Sequence, residues 1–442
     1  MKTKTFHPGG MHVPDHKDQT KDLTIIDMNP GKDLLFPLSQ HVGIPAEPIV
    51  EKDQQVLVGQ LIAKAQGDFS SNIHASVSGI VKDIKEYPHP ITGLGTAIHI
   101  ENDFQYTPLP TPEPPVFEQN NDLGSFVSFI QDCGIVGMGG ATFPTHLKLN
   151  PPPDASVDTY IINGAECEPY LTCDHRLMLE NTKELFDGIQ IVQSYLHFKE
   201  IIIGIESNKM DAIEHLLSYI KEHPIEPRIR VVPLEKKYPQ GAEKSLINAL
   251  TKRIVPVGKL PFAVGCIVQN VGTLIAISNA YRHNTPLIHR VFTASGDCLK
   301  DPKNIRAPIG TLLSDIIEFC GGFIEEPKEL VFGGPMMGIN QRSQDVPILK
   351  GTSGIIFLSK LEPLNESSCI RCGRCIQNCP SGLMPYRFVE LAKRNNHFQA
   401  NRYYVSSCIE CGLCTYNCPA RIPILNYIRV TKQEIKRKRS GQ

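Results

Sequence analysis

The chain has almost no net charge: 45 Lys and Arg stand against 46 Asp and Glu over 442 residues, a formal balance of −1. That balance argues against nucleic acid as a general partner. Long apolar runs are missing too. The nearest, PFAVGCIVQNVGTLIAI (261–277), is interrupted by Gln269 and Asn270, so no membrane-spanning segment is expected. The start, MKTKTFHPGGMHVPDHKDQT, lacks the apolar stretch of an export leader, and no secretory signal is expected. Cysteine, by contrast, is plentiful at 14.

Two runs in the last quarter use eight of those cysteines. CIRCGRCIQNCP begins at Cys369 and CIECGLCTYNCP follows 39 residues later, each spaced C-x2-C-x2-C-x3-C-P. This is the bacterial run for [4Fe–4S] clusters, in which the fourth cysteine of each run ligates the other cluster. The rule predicts one cluster on Cys369, Cys372, Cys375 and Cys418, and a second on Cys379, Cys408, Cys411 and Cys414. Gly373 and Gly412 leave room where the backbone curls toward the core, and Pro380 and Pro419 end each run. A zinc ribbon would use two C-x2-C pairs instead. Clusters need thiolates kept from oxidation, which points to a reducing compartment: the cytoplasm, or the cytoplasmic face of a membrane. Cys133, Cys167, Cys173, Cys266, Cys298 and Cys320 lack ligand spacing and read mostly as small buried hydrophobes.

The length allows roughly three domains, each with its own core. Residues 1–30 are polar and read as an extended arm lying on the body. Within 31–106, alternating apolar and polar residues with Gly59, Gly67 and Gly79 at turns predict short strands. The pattern is similar to the barrel-sandwich fold of lipoyl and biotinyl carrier domains. The tip QGDFSSN has no lysine, so neither biotin nor lipoate is expected. A proline-rich linker (107–118) follows.

From 119 to 289, the apolar runs TYIIN, IIIGI, RIRVV and VGCIVQN have strand length. Between the second and third, Met210, Ile213, Leu216, Leu217 and Ile220 fall on one helical face, with Ser207 or Asn208 as the expected cap. Strand–helix–strand alternation predicts a mostly parallel sheet with its ligand outside the carboxyl ends of the strands. Residues 290–360 suggest a small α+β module with a helix from about Thr311 to Phe319. The last stretch predicts a helix with a basic end, Arg429, Lys432, Lys436, Arg437, Lys438 and Arg439. We read it as a solvated tail, with anionic lipid or an acidic partner as the competing reading.

GIVGMGGATFPTHLKL (134–149) leaves backbone N–H groups bare, with Lys148 as a nearby charge. It is not the G-x-G-x-x-G fingerprint, and alone it serves equally as a tight connection or as an anion cradle. GAECEPYLTCDHRLM (164–178) follows the first sheet strand and puts Asn163, Glu166 and Glu168 at its carboxyl end. Carboxylates there suit ribose hydroxyls or an amide. The competing reading makes a glutamate of the pair, Glu168 first, the cap of the helix after Pro169.

Joined to the two cysteine runs, these motifs resemble the RnfC family, the C subunit of the Rnf ion-translocating ferredoxin:NAD oxidoreductase. More distantly they are similar to the NADH-oxidising flavoprotein subunit of complex I, with its GRGGAGFPTGLKW and NADEGEPG motifs. The resemblance covers nearly the whole chain. It implies a multidomain α/β protein: a barrel-sandwich-like β module, a Rossmann-like α/β flavin domain, a β-grasp (SLBB) module and a bacterial-ferredoxin-type domain (361–442). It implies FMN and NAD(H) beside the clusters. It places Gly137, Gly139, Gly140, Ala141, Phe143 and Lys148 on the flavin loop, and Asn163, Glu166 and Glu168 on the acidic turn. KYPQGAEKSLI resembles a further segment, implicating Tyr238, Gly241 and Glu243, and QNVGTL implicates Asn270 and Thr273. Met138 replaces the arginine of the complex I loop, Thr142 a glycine, and Ala242 a glutamate; Cys167 sits between the two acids.

The implied activity is hydride exchange between NAD(H) and FMN, with single electrons passing through the clusters to partner subunits, among them the ferredoxin-like one. The implied location is peripheral, on the cytoplasmic face of the membrane. Two alternatives are a cobalamin reductase of the same fold and an electron-conducting adaptor whose nucleotide site is empty.

Overall fold

A computed structural model describes residues 2–110, 122–225, 227–360 and 365–439. Most of the proline-rich linker lies outside the described residues. Its first residues are tied to the barrel-sandwich module, where Leu109 N–H donates to Val58 O at 2.8 Å.

In the N-terminal region, a four-stranded sheet (Asp33–Pro37, Gly93–Asn102, Gly79–His89, Gln55–Val56) packs against a three-stranded one (Glu47–Pro48, Leu61–Lys64, Ile73–His74). Leu34, Phe36, Val56, Ile62, Ile73 and Ile98 fill the space between them. The alternation read from the sequence is this inward-facing set, since successive strand residues point to opposite faces.

The central sheet runs Ile229–Leu234, Glu200–Glu206, Thr159–Gly164, Cys266–Asn270, with every pair parallel. Its strands are mostly apolar because both faces are covered, with Arg230, Gln269 and Asn270 among the exceptions. Tyr160, Ile162, Ile201 and Ile203 join one core with the long helices. Ile161, Ile202 and Val268 join the opposite one, with Leu246 and Leu250 of helix Glu243–Thr251 and Phe6 of the N-terminal arm. The helix between the second and third expected strands spans Met210–Glu222 and buries Ala212, Ile213 and Leu216. Met210 is 42% exposed, so the apolar stripe is narrower than the spacing suggested. Neither Ser207 nor Asn208 caps this helix. Ser207 N–H donates to Leu234 O, and the Asn208 amide donates to Asp15 in the arm.

A six-stranded mixed sheet follows, in the order Ile25–Asp27, Lys303–Pro308, His289–Gly296, Gly354–Leu358, Glu329–Phe332, Ile339–Asn340. Helix Leu313–Phe319 packs into its core through Leu313, Ile316 and Ile317. The arm is therefore more than a surface appendage: residues 25–27 form an edge strand of this sheet.

The C-terminal region is short helices around Phe388, Val405, Ile424 and Ile428, closed by helix Ile424–Arg439. The expected solvated tail is only partly that. Arg429 and Lys432 both hold Glu410, and Lys432 also donates to Cys408 O at 3.0 Å. No described helix is long and apolar enough to cross a membrane.

Candidate functional site

At the carboxyl ends of the parallel strands lies a cavity of about 930 Å³. Besides the central sheet, its walls come from three other modules: Phe69 and Ile91 from the barrel-sandwich module, Gly333 and Met337 from the mixed-sheet module, and Ile409 from the second cysteine run. Of the residues expected to hold flavin or nucleotide, Gly137, Gly139, Gly140, Ala141, Phe143, Lys148, Asn163, Glu166, Glu168, Tyr238, Gly241, Glu243 and Asn270 line it. Thr273 lies behind the wall. It is fully buried, and its hydroxyl accepts the Met138 N–H at 3.0 Å.

The glycine loop turns back on itself through Gly137 N–H donating to Phe143 O at 2.8 Å. Gly139 is required by a close approach, since a Cβ there would sit 2.8 Å from Asn270 Nδ2. Asn270 in turn starts helix Val271–His283: its Oδ1 accepts Gly272 N–H at 2.8 Å, while its Nδ2 donates to Asp174 at 2.6 Å. Lys148 is paired with Glu243 at 2.7 Å and donates to Val268 O at 3.2 Å, so its charge is partly balanced before any ligand arrives.

The two glutamates of the acidic turn have different roles. Glu166 accepts Asp174 N–H at 2.7 Å and His175 N–H at 3.4 Å, serving the first turn of helix Cys173–Glu180. The capping role considered for Glu168 therefore belongs to Glu166, whose φ of 48° turns its carboxylate back toward the helix. Glu168 instead accepts the Tyr238 hydroxyl at 3.2 Å and Met336 N–H at 3.1 Å, joining the turn to the mixed sheet. Burial pushes its carboxyl up to about 7. Burial, with Glu166 nearby, likewise raises Asp174 to about 6.

Several residues that sequence reasoning missed complete the site. Lys17, 5% exposed, donates to the carbonyls of Glu166 and Glu168 at 2.9 and 3.1 Å and to that of Leu171. Arg290, 2% exposed, donates to Met138 O at 2.9 Å and Thr352 O at 2.7 Å, and its Nη1 lies 3.1 Å from Met138 Sδ. Neither carried a local signal, because the partners of each are distant in sequence, more than a hundred residues away for all but the Arg290–Thr352 contact.

The cavity's chemistry fits a flavin-sized ligand. Pockets for organic ligands run to several hundred Å³, mostly apolar with a few placed polar groups. Among the described residues, Gln40 Nε2, Asp174 Oδ1 and Gln269 Nε2 are buried atoms without a hydrogen-bond partner, and all three residues line it. Unpaired buried polar atoms are costly, and a polar ligand would satisfy them.

A second, small pocket is lined by Cys379, Cys408, Cys411 and Cys414 together, with Phe388, Leu413 and Ile428. This is the cysteine set that the crossed-ligand rule assigns to one cluster. Burial pushes the Cys411 thiol up to about 12. Iron bound among these sulfurs offsets that cost by deprotonating its ligands. Gly373 and Gly412 both adopt φ of 78° at the start of one-turn helices, so the two runs fold alike. Cys375 feels the charges of Cys369 and Cys372, and Ser367 N–H donates to Ala420 O at 3.0 Å, which sets the head of the first run beside the tail of the second. Cys369 and Cys372 are exposed, whereas Cys411 and Cys414 are buried. Of the other cysteines, Cys133, Cys173, Cys266, Cys298 and Cys320 are buried, and Cys167 lines the large cavity.

Four family models match the chain: the RnfC barrel sandwich hybrid domain over 4–105, the Nuo51 FMN-binding domain over 130–279, the SLBB domain over 291–340 and the 4Fe-4S dicluster domain over 368–422. The C subunit of the proton-translocating ferredoxin:NAD(+) oxidoreductase complex of Clostridium ljungdahlii is 48% identical over 407 residues, 91% of this chain and 87% of that one. Its counterpart in the Na(+)-translocating ferredoxin:NAD(+) oxidoreductase complex of Acetobacterium woodii is 41% identical, covering 89% of each chain. The C subunit of the ion-translocating oxidoreductase complex of Rhodobacter capsulatus is 43% identical over 86% of this chain and 75% of its own. Among solved structures, an NAD+-reducing [NiFe]-hydrogenase in the air-oxidised state superposes with a TM-score of 0.52 at 17% identity, covering 72% of this chain and 65% of that one, a likeness of fold alone.

Proposed function

This chain belongs to the RnfC family, the C subunits of the Rnf-type ion-translocating oxidoreductase complexes, and from that premise we propose that it moves electrons between NAD(H) in the large cavity and a partner subunit. Its cofactors are FMN, NAD(H) and two [4Fe–4S] clusters. Bound flavin supplies the exchange between two-electron hydride chemistry and one-electron chemistry. The net step balances as NADH plus two oxidised clusters giving NAD+, a proton and two reduced clusters, and runs in either direction.

One observation carries the reading. Ile409, next to Cys408, lines both the large cavity and the cysteine pocket. Ile409 thus borders both the proposed flavin site and the cysteine pocket. The same geometry sets an order. Cys379, Cys408, Cys411 and Cys414 hold the inner cluster; Cys369, Cys372, Cys375 and Cys418, with two exposed cysteines, hold the outer one that meets the partner. In this assignment Gly137, Gly139, Gly140, Ala141 and Phe143 lie against the flavin, and Lys148 balances its negative charge while paired with Glu243. Asn163 and Gly241 are tied together at 2.9 Å and shape the wall beside Tyr238 and Glu168. Asn270 supports the loop from behind, and Thr273 acts through Met138 N–H.

The N-terminal match to the RnfC barrel-sandwich domain favours this reading over a corrinoid reductase. With thiolate clusters to protect, the chain docks on the cytoplasmic face of the membrane, and ion translocation belongs to its partners. The test is an anoxic visible spectrum before and after NADH, with flavin, iron and labile sulfide counted. The reading requires flavin bleaching followed by cluster bleaching. A protein that binds flavin but is not bleached by NADH refutes it.

A further inference from the structure

The N-terminal arm has no task in the function above, yet it touches both the cavity wall and the inner cysteine pocket. Lys17 Nζ is buried against the carbonyls of Glu166, Glu168 and Leu171, with Glu166 Oε2 at 3.8 Å. Upstream, Met11 and Tyr238 exchange both backbone hydrogen bonds, at 3.0 and 2.9 Å, so the arm pairs directly with the cavity wall. Gly10 N–H donates to Asn378 O at 3.0 Å, one residue before Cys379. Gly9, at φ 69°, lies so close that a Cβ would sit 2.5 Å from the Cys379 carbonyl carbon and oxygen. Val13 packs in one cluster with Tyr238, Cys411 and Leu413.

We propose that residues 6–17 are a positioning strap that fixes the inner cysteine pocket against the large cavity, with Gly9 and Lys17 as its two anchors. The proposal rests on the electron route above. Its physical basis is that both anchors bear on main chain rather than on flexible side chains. Lys17 fixes three carbonyls of the acidic turn, and Gly9 abuts the peptide of a cysteine ligand. The Gly9 contact is main chain against main chain and cannot yield by a rotamer change, and Lys17 is held in place by its burial. Electron transfer between fixed centres falls off exponentially with their separation, so loosening the cysteine pocket against the cavity slows it.

The experiment uses the full-length holoprotein under anoxia with Gly9→Ala, Lys17→Met and a control, Gly322→Ala. Gly322 has a similar left-handed φ of 80° but nothing within 4 Å of its would-be Cβ. After rapid mixing with NADH, the strap predicts wild-type flavin bleaching in Gly9→Ala with cluster bleaching slowed severalfold or more. In Lys17→Met, whose side chain also holds the acidic turn of the cavity, the ratio of the cluster rate to the flavin rate should fall. The control should match wild type in both phases. Amide hydrogen exchange without NADH gives a second readout: Gly10 and Met11 N–H should be protected in wild type and lose protection in both anchor variants. Wild-type cluster bleaching in an anchor variant that retains its iron and flavin overturns the proposal. Loss of iron from both variants also overturns it, by making the arm a folding element only. If wild type itself is not bleached by NADH, the route fails, and the exchange data alone then decide whether the strap exists.

Discussion

Replacing Glu168 with glutamine tests whether the buried wall of the cavity carries a protonated carboxyl near neutral pH. Burial raises this carboxyl from the ordinary 4.5 to about 7, outweighing the opposing effects of Met336 N–H, Tyr238 and the Lys17 charge. A folded pKa above the unfolded one means that the proton stabilises the fold. That contribution is complete below about 4.5 and is lost as pH rises through about 7. A shift of this size corresponds to about 3 kcal/mol. Glutamine keeps the neutral shape at every pH, and its carbonyl still accepts the Met336 N–H. Between pH 5.5 and 8 the wild type should therefore lose about 2 kcal/mol more stability than Glu168→Gln. Urea unfolding followed by flavin release at the two pH values measures the difference. Parallel pH dependences in the two proteins would show that Glu168 is already ionised at pH 5.5 and that burial does not govern it.

Three further outcomes follow from the geometry. Cys379→Ser and Cys418→Ser should each lower bound iron by about half, but only Cys418→Ser should leave a cluster that NADH still bleaches; equal behaviour would contradict the inner and outer order. Gly139→Ala pushes into Asn270 and disturbs the start of helix Val271–His283. The lost cap is worth about 1 kcal/mol, so flavin retention in equilibrium dialysis should fall about fivefold, and unchanged retention would refute the close approach. Arg290→Met leaves Met138 O and Thr352 O without their buried donor, which should cost about 3 kcal/mol in urea unfolding; a neutral effect would mean that the loop finds other donors.

What was legible in the sequence was what short-range geometry dictates. Cluster cysteines must recur at fixed intervals because one core must be reached from one turn of chain, and the spacing survives in the string. The four parallel strands were legible because burial on both faces leaves short, mostly apolar runs. The division of labour between Glu166 and Glu168 was not, since it depends on a single left-handed φ at Glu166. Capping at Ser207 or Asn208 failed for a related reason: the Asn208 side chain is engaged by Asp15, far away in the arm. Lys17 was invisible for the same cause, as a lone lysine in a polar stretch gives no hint that three carbonyls will surround it.

The substitution at Met138 shows how a site can keep a charge while changing its source. The complex I loop has arginine at this position; here the side chain is a thioether, 3% exposed. A guanidinium still reaches the loop, but it comes from Arg290, near the start of the interior strand His289–Gly296 of the mixed sheet, and grips the Met138 carbonyl. That cation is also felt by the buried Asp174, drawing its carboxyl down against burial. Moving the charge from the loop to a neighbouring module has a mechanical consequence. The glycine loop cannot shift without disturbing Arg290, and Arg290 is held by Thr352 O beside strand Gly354–Leu358. The same mixed-sheet module sends Met336 N–H to Glu168 of the acidic turn. The glycine loop and the acidic turn are thus both tied to the module that carries the mixed sheet, so a displacement of that module moves both.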